Sequence, residues 1–371
     1  MVSAALNTDL AATDDEVFAQ AVYGMAREGK QAFLLDRLQK LVEHHADHCT
    51  PYLRLLDSIG ASGRHFETLA DLPYVHVRLF KDFRLLSVAQ DEVVKELTSS
   101  GTSGQQVSRI FLDRTTAHRQ TRALVAILQE FLGKARLPML IADHPNVIRD
   151  RASFSARGAG ILGLSNFGRD HTYLLDEDMA IDFAGLDAFL TRHDGQRCLM
   201  FGFTFMVWQY LVQALRKAVR TVDMSNFILI HSGGWKKLQD QAVDNATFRR
   251  ILQETTSIRQ VHNFYGMVEQ VGSIFMECEA GHLHTPVFAD VLIRHPLTLQ
   301  PLPVGLSGII QVLSILPWSY PGHSLLTEDV GMLLGEDDCP CGRMGKYFQV
   351  EGRIPRAEAR GCSDTFSPVT A

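Results

Sequence analysis

The spacing of hydrophobic residues changes along the chain. From residue 14 to about 58, apolar side chains recur every three or four positions, which predicts amphipathic helices, and Pro51 is expected to restart a helix after a break. From about 108 to 265, short apolar runs alternate with stretches of helical spacing. Continuous apolar runs are typical of strands buried on both faces, so this region predicts α/β layering with a mainly parallel sheet.

Individual elements follow from the same pattern. Short apolar or alternating runs predict strands at 108–113, 139–142, 198–202 and 227–231. Helical spacing predicts helices at 115–131, with Thr115 or Thr116 as the N-cap, and at 205–218. From about 285 to 350, short strand-like runs separated by Pro and Gly turns predict a β-rich segment.

Composition narrows the class of protein without identifying it. Hydrophobic residues make up 46% of the 371 residues and charged residues 21%, as in ordinary globular domains. A net charge of −6 and dispersed basic residues argue against a nucleic-acid surface. Residues 1–20 lack a signal-peptide pattern and no apolar run has transmembrane length, so we expect a cytoplasmic protein that does not act at a membrane. The six cysteines are then expected to be thiols, metal ligands or nucleophiles.

A loop rich in glycine and hydroxyl side chains precedes the first predicted strand. Its central residues are Ser99, Ser100, Gly101, Thr102, Ser103 and Gly104. Glycines allow close approach of the backbone to an anion, and N–H groups and hydroxyls supply hydrogen bonds, so the loop suits phosphate. A flexible surface turn is the alternative. Because Gln105 stands where a Walker motif has lysine, a P-loop NTPase is disfavoured.

Two further glycine turns follow predicted strands. One is Ser232-Gly233-Gly234, and the other is Tyr265-Gly266-Met267. Open α/β sheets bind ligands at the carboxyl ends of their strands, so both turns are candidate ligand contacts. His44, His45 and His48 raise the possibility of a metal site, but a polar helix end is the favoured interpretation.

Several of these stretches, taken together, resemble the adenylate-forming ligases, which include acyl-CoA synthetases. The matching stretches are the loop at 98–104, Asn-Phe-Tyr-Gly-Met-Val-Glu at 263–269, Thr-Glu-Asp at 327–329 and Gly-Arg at 352–353. The resemblance implies an α/β ligase fold with mixed or parallel sheets flanked by helices and a β-rich C-terminal subdomain. It also implies that the small C-terminal domain of typical members is missing or reduced to a tail, because few residues follow Arg353.

The resemblance also implies roles for individual residues. The loop would bind phosphates of ATP, Glu269 would bind Mg²⁺, Tyr265 with Gly266 and Met267 would lie along the adenine, and Asp329 would accept hydrogen bonds from the ribose. Ser232, Gly233 and Gly234 match the adenine-side turn, and Arg353 matches the hinge. Two residues depart from the pattern: Gln105 replaces lysine, and Glu328 replaces glycine. Neutralisation of phosphate charge would then depend on metal, on backbone N–H groups or on a distant base: Arg109, Lys236 or Arg353.

A narrower resemblance covers most of the chain. The segments 322–329, 339–343 and 358–365 are similar to the acyl-protein synthetases of the bacterial bioluminescence fatty acid reductase complex. This implies that a fatty acid is activated as acyl-AMP and transferred to Cys362 before it passes to a reductase partner. Residues 1–352 would form the catalytic domain, mostly helical up to about 75, and 353–371 a short mobile tail. The alternatives are activation of another acid for a carrier-protein thiol or CoA, and a non-catalytic binding subunit.

Three cysteines and a histidine suggest a structural zinc site. Cys278, His284, Cys339 and Cys341 lie near glycine turns and supply sulfur and nitrogen ligands. His284 is preferred over His282 because alternation along a strand-like segment should place the two rings on opposite sides. A similar set in phenylacetate-CoA ligase-like relatives supports zinc, and buried free thiols are the alternative. Cys49 and Cys198 are expected to be core thiols.

Overall fold

The computed structural model describes residues 14–99, 107–148, 156–235 and 240–354. Its helices are α1 (14–19), α2 (Arg27–His48), α3 (Thr50–Ser58), α4 (Leu79–Asp82), α5 (Arg114–Leu132), α6 (Ala156–Ser165), α7 (Phe183–Arg192), α8 (Thr204–Met206), α9 (Gln213–Lys217) and α10 (Asn245–Thr256). A π-helical turn, Val207–Val212, joins α8 to α9, so the helix predicted at 205–218 is continuous but locally widened. Short 3₁₀ turns lie at Pro145–Ile148 and Val268–Gln270.

The strands of the described residues are β1 (Val75–His76), β2 (Val93–Thr98), β3 (Arg109–Asp113), β4 (Leu137–Ile141), β5 (Gly168–Tyr173), β6 (Cys198–Phe203), β7 (Phe227–Ser232), β8 (Gln260–Tyr265), β9 (Phe275–Glu277), β10 (Leu283–His284), β11 (Ala289–Arg294), β12 (Ser307–Ser314), β13 (Ser324–Glu336) and β14 (Lys346–Arg353). Apart from the β2–β3 hairpin, they join one twelve-stranded sheet within the described part of the chain. Its order is β11-β12-β13-β14-β10-β9-β8-β7-β6-β4-β5, and β1 pairs with β13.

The sheet has a parallel half and an antiparallel half. Pairings among β4, β5, β6, β7 and β8 are parallel, whereas β8–β9 and the pairings from there to β11 are antiparallel. The α/β prediction is confirmed, but a mainly parallel sheet is correct only for the middle of the chain. Strands after residue 275 are joined by connections too short for a crossover helix, so they pair antiparallel.

Alternation along the parallel strands divides the core between the two faces of the sheet. Leu199 and Phe201 of β6 pack in one hydrophobic cluster with residues of α2 and α5, whereas Cys198 and Met200 pack in another with residues of α7, the π turn and α10. Successive side chains of a strand point to opposite faces, so a continuous apolar run is what a strand covered on both sides requires. Cys198 and Cys49 are buried in these cores, as expected.

The N-cap of α5 is not one of the two residues predicted for it. Asp113 is the N-cap, and its carboxylate accepts a 2.8 Å hydrogen bond from the Thr116 N–H. Thr115 and Thr116 therefore lie inside the first turn, because Asp113, the last residue of β3, already provides a strong capping group. In α3, Pro51 occupies the first turn, where its missing N–H has no intrahelical partner to lose.

The end of α2 is not the polar surface that its histidines suggested. His45 is fully buried, its Nδ1 lies 2.8 Å from the Ser87 hydroxyl, and its ring stacks on His323 at 4.9 Å between centroids. His44 stacks on Trp318 at 3.5 Å. The prediction of a polar helix end is therefore wrong for His45, because the segment between β12 and β13 covers this side of the helix.

No helix in the described residues combines the length and hydropathy needed to cross a membrane.

Candidate active site and metal centre

The glycine- and serine-rich loop connects the two strands of a hairpin. β2 and β3 pair antiparallel, and beyond them the Ser99 N–H donates to the Ser108 carbonyl at 3.1 Å while the Ser108 N–H donates to the Ser99 hydroxyl at 2.9 Å. β3 also packs beside the turn at Val268–Gln270. The two ends of the loop are thus fixed next to that turn. Ser100, Gly101, Thr102, Ser103 and Gly104 lie outside the described residues.

The turn after β7 is held at its first residue. The Ser232 hydroxyl donates to the Phe264 carbonyl at 2.9 Å, and the Thr204 hydroxyl lies 3.2 Å from the Ser232 carbonyl. Gly233 has φ of +81°, and a Cβ there would lie 3.0 Å from the Phe203 ring, whereas a Cβ on Gly234 would meet nothing within 4 Å. Ser232, Gly233 and Gly234 therefore form an open-sided backbone turn at the carboxyl edge of the parallel strands.

Tyr265, Asp329 and Arg353 meet in one group. The Tyr265 hydroxyl donates a 2.7 Å hydrogen bond to Asp329 Oδ2, and Arg353 Nε lies 3.2 Å from Asp329 Oδ1. Asp329 and Arg353 are cross-strand partners in the β13–β14 pairing. Burial, and secondly the charge of Asp329, raise the pKa of Tyr265 well above its ordinary value, so the phenol stays protonated and can donate. Three residues from separate motifs thus converge.

Glu269 lies on the short turn that follows Tyr265, Gly266 and Met267. It is 9% exposed, and its neighbour Gln270 is fixed by a 3.0 Å hydrogen bond from its amide to the Gly322 carbonyl. Gly266 is in close contact with Ile274, since a Cβ there would lie 3.0 Å from that side chain. The turn is therefore held from both sides, and it lies beside β3 of the hairpin that carries the Ser99 loop.

Three basic residues were candidates to replace the missing loop lysine, and the two that the structure describes are each paired with a carboxylate. Arg109 pairs with Glu96 across the hairpin at 2.6 Å and is exposed. Arg353 pairs with Asp329, and Lys236 lies outside the described residues.

The four candidate metal ligands come together. Sγ of Cys278, Cys339 and Cys341 and a ring nitrogen of His284 all lie within 4.8 Å of one another. Cys278 and Cys339 sulfurs are 3.9 Å apart, and Cys341 Sγ is 3.3 Å from His284 Nε2. Zinc–sulfur bonds of about 2.3 Å in a tetrahedron place sulfurs about 3.8 Å apart, so the geometry and the donor types suit Zn²⁺.

A tight turn positions the Cys-x-Cys pair. The Gly342 N–H donates to the Cys339 carbonyl at 2.9 Å, with Pro340 at the second position and φ of +79° at Gly342. Burial raises the pKa of Cys341, but hydrogen bonds with Arg343, and then with Cys339 and Cys278, lower it, so that the pKa lies below its ordinary value. Burial, and then Arg343, lower the pKa of His284 to about 4, so the ring is neutral and able to coordinate.

The reason given for preferring His284 over His282 is wrong. Successive side chains of a strand alternate between its two faces, so His282 and His284, which are two positions apart, are expected on the same side and not on opposite sides. Both rings stack on Tyr347, at 4.9 Å for His282 and 5.6 Å for His284, and His282 Nδ1 lies 3.4 Å from Cys339 Sγ. His282 therefore borders the group that contains His284.

Sequence reasoning missed a charged pair at the carboxyl edge of β4. Asp143 is 2% exposed, and its Oδ2 lies 3.4 Å from Arg157 Nε. An Asp directly after an apolar run and an Arg in a glycine-rich stretch were the available signals, but their proximity depends on how α6 packs. Cys362 lies outside the described residues, so its surroundings are not part of this geometry.

The family described as Acyl-protein synthetase, LuxE, matches residues 1–370. The chain belongs to this family. It is 28% identical over 356 residues to the long-chain-fatty-acid–luciferin-component ligase of Vibrio harveyi, a match that covers 91% of this chain and 88% of the relative. It is 23% identical over 312 residues to the ligase of the same name from Aliivibrio fischeri, with 81% and 79% covered. The chain is accordingly an enzyme of the ligase class.

Solved structures show the same fold at lower sequence identity. A 2-hydroxyisobutyryl-CoA ligase in an open conformation matches with a TM-score of 0.63 and 16% identity, covering 89% of this chain and 76% of that one. The same ligase in its postadenylation state matches with a TM-score of 0.65 and 17% identity, covering 90% and 69%. The fold of this enzyme is therefore that of an adenylate-forming ligase.

Proposed function

We propose that the enzyme joins a long-chain fatty acid to the α-phosphate of ATP. The acid carboxylate attacks the α-phosphorus, so that acyl-AMP forms and pyrophosphate leaves. The observation that carries this proposal is the convergence of Tyr265, Asp329 and Arg353 in a chain of the acyl-protein synthetase family. The substrate class is supported by the names of the relatives, which are long-chain-fatty-acid ligases.

In this proposal each of the candidate groups described above binds one part of ATP. Asp329 accepts hydrogen bonds from the ribose hydroxyls, and Tyr265 lies along the adenine, with Ser232, Gly233 and Gly234 at the base's other edge. The hairpin loop that begins at Ser99 surrounds the β- and γ-phosphates with N–H groups and hydroxyls. Glu269 would hold Mg²⁺, which offsets the charge of the phosphates.

The second step transfers the acyl group to the enzyme's own cysteine. The Cys362 thiolate attacks the acyl carbonyl, a thioester forms, and AMP leaves with the bonding electrons of the broken bond. The Ile354 N–H donates to the Glu328 carbonyl at 2.9 Å, which fixes the start of the 353–371 tail beside Asp329. Cys362 is eight positions after Ile354, and a chain of that length spans at most about 29 Å, so the thiol can reach a site beside Asp329.

The proposed thioester is an activated intermediate for a partner. A thioester carbonyl is susceptible to attack by a second nucleophile, so the acyl group on Cys362 can pass to an acyl-reductase subunit. Zinc at Cys278, His284, Cys339 and Cys341 would have a structural role, because four protein ligands complete its tetrahedron and leave no open position. It would fix β9, β10 and the start of β14, the strand that ends at Arg353.

ATP–pyrophosphate exchange tests the first step. Purified enzyme with Mg²⁺ and a panel of carboxylic acids should exchange label fastest with long-chain fatty acids, because exchange requires reversible formation of acyl-AMP. Preference for an aromatic or short acid would replace the fatty-acid assignment, and no exchange with any acid would contradict adenylation. Acyl transfer to added CoA or carrier protein that is equally fast in wild type and Cys362→Ala would identify an external acceptor.

A further inference from the structure

A buried carboxylate and an arginine form a pair that the proposed roles above do not use. Asp143 directly follows the carboxyl end of β4, and its Oδ1 accepts a 2.9 Å hydrogen bond from the His144 N–H. Its Oδ2 faces Arg157 Nε at 3.4 Å. Burial raises the pKa of Asp143, whereas the His144 N–H and the charge of Arg157 lower it. A carboxylate placed in the interior needs such partners, and removal of one of them would leave the other charge uncompensated.

The packing of α6 places Arg157 at the edge of the sheet where the candidate nucleotide turns lie. A Cβ on Gly160 would lie 3.2 Å from the Phe201 ring and 3.3 Å from the Phe203 ring, so α6 approaches the end of β6 closely. Arg157 is three residues earlier and therefore on the same face of the helix. Its Nη1 lies 3.4 Å from Met206 Sδ, in the helical turn that follows β6.

A chain of short contacts continues from there to the turn after β7. Met206 belongs to α8, whose first residue, Thr204, has its hydroxyl 3.2 Å from the Ser232 carbonyl. The Phe203 ring packs closely against Gly233, the residue after Ser232. Arg157 and Ser232 thus stand on two sides of the β6 end, at the edge where open α/β sheets bind their ligands.

The surroundings of Arg157 suit it to binding an anion. Asp143 faces Nε of Arg157, and Nη1 faces the Met206 thioether, which is only a weak acceptor. The Arg157 side chain is 25% exposed. A guanidinium presents its N–H groups in a plane that matches two oxygens of a carboxylate or a phosphate. The enzyme also lacks the loop lysine, since Gln105 stands there, and Arg109 is paired with Glu96.

We propose that Arg157 binds the oxyanion at the reacting centre, where the acid carboxylate meets the phosphates of ATP, and that Asp143 is its positioning residue. This inference rests on the proposed adenylation reaction. A fixed guanidinium at this point brings two negatively charged reactants together and stabilises the charge on the pentavalent phosphorus. Asp143 faces Nε at 3.4 Å and in this proposal orients the guanidinium.

Kinetics of ATP–pyrophosphate exchange test the catalytic part. We expect Arg157→Ala to lower kcat/KM on the order of 10²-fold, Arg157→Lys to recover part of that loss, and Asp143→Asn to lower it about tenfold. Arg192→Ala, an exposed arginine near the opposite edge of the sheet, is the matched control and should behave as wild type. Values for Arg157→Ala within about threefold of wild type would overturn the inference.

Binding measurements separate direct contact from a structural role and distinguish the two anions. Titrations compare ATP with adenosine and a long-chain fatty acid with the alcohol of equal length. Weaker binding of ATP or of the acid, with unchanged binding of adenosine and the alcohol, supports the inference and identifies which anion Arg157 contacts. Equal losses for charged and uncharged ligands would overturn it. Arg157→Gln, nearly isosteric, replaces Arg157→Ala if thermal unfolding shows that the alanine variant is not folded.

Failure of the inference can be told from failure of the proposed function. Exchange by wild type that persists in Arg157→Ala contradicts the inference alone. Absence of exchange by wild type with every acid contradicts adenylation, and in that case the comparison of ATP with adenosine still decides whether Arg157 contacts phosphate.

Discussion

The Tyr265 hydroxyl donates a 2.7 Å hydrogen bond to Oδ2 of Asp329 across the sheet. Three strands, β9, β10 and β14, separate β8 from β13 in the sheet order. β9 and β10 have only three and two residues, and Tyr265 packs edge-on against Phe348 of β14 at 6.2 Å. The two short strands thus leave the end of β8 close enough to β13 for its last residue to reach the carboxylate.

Removal of the Tyr265 hydroxyl should weaken nucleotide binding. Hydrogen bonds to charged groups contribute about 1.5–3 kcal/mol, so Tyr265→Phe should raise KM for ATP by about tenfold. Asp329→Ala should raise KM further, because this substitution also removes the proposed hydrogen bonds to the ribose. Tyr210→Phe removes a hydroxyl elsewhere and is the control. A KM for ATP unchanged in both Tyr265→Phe and Asp329→Ala would contradict the roles proposed for this pair.

Protein purified without chelator should contain one zinc per chain. Three sulfurs and one imidazole within 4.8 Å form a complete tetrahedral set, so Cys341→Ser should lose the metal and unfold at a lower temperature. Cys198→Ala alters a buried thiol outside this set and should keep its zinc. Metal analysis by mass spectrometry provides the measurement, and zinc-free wild type of normal thermal stability would contradict the site.

The two histidines near this centre should differ in effect. His284 belongs to the four-ligand group, so His284→Ala should lose stoichiometric zinc. His282 lies beside Cys339 without completing the tetrahedron, so His282→Ala should retain zinc with affinity lowered by about 10–100-fold. The reverse result would show that His282 is the ligand.

Stability should fall as the pH is lowered below about 6.5. Burial, and then the charge of His44, lower the pKa of His323 to about 3, whereas a histidine in the unfolded chain titrates near 6.5. Between these values the unfolded state binds the extra proton, so the free energy of unfolding decreases by up to about 1.4 kcal/mol per pH unit. Burial also lowers the pKa of His231 to about 3, so this histidine likewise lowers the free energy of unfolding as the pH falls.

Thermal unfolding from pH 8 to pH 4 provides the test of this pH dependence. His323→Gln removes one buried imidazole from its stack on His45 and should flatten the decline below pH 6.5. His65→Gln, at an exposed position, should leave the profile unchanged. A profile equally steep in His323→Gln and wild type would show that this histidine does not contribute.

The sequence predicted many of the strands and helices well because their hydrophobic patterns are local. The runs at 139–142 and 198–202 become β4 and β6, since an apolar run between turns has few other stable forms. Tyr265 and Asp329 were assigned separately from two motifs. Their hydrogen bond was not predictable, because it depends on β10 and β14 entering the sheet between them.

Other features were missed for the same physical reason. His45 lies at the polar end of a helix by periodicity, yet it is buried because the segment with Trp318 and His323 folds against it. The local signals at Asp143 and Arg157 do not show that the two residues meet, because their proximity depends on the close packing of α6 at Gly160. Burial and ion pairing across distant segments are tertiary properties, so local patterning does not report them.

The central claim is that the enzyme activates a fatty acid and transfers it to Cys362. Intact-mass spectrometry after incubation with ATP, Mg²⁺ and a long-chain fatty acid measures this directly. Wild type and Ser363→Ala, the neighbouring control, should gain the mass of one acyl group, which neutral hydroxylamine removes, and Cys362→Ala should gain none. An acyl adduct of equal amount on Cys362→Ala would contradict the account.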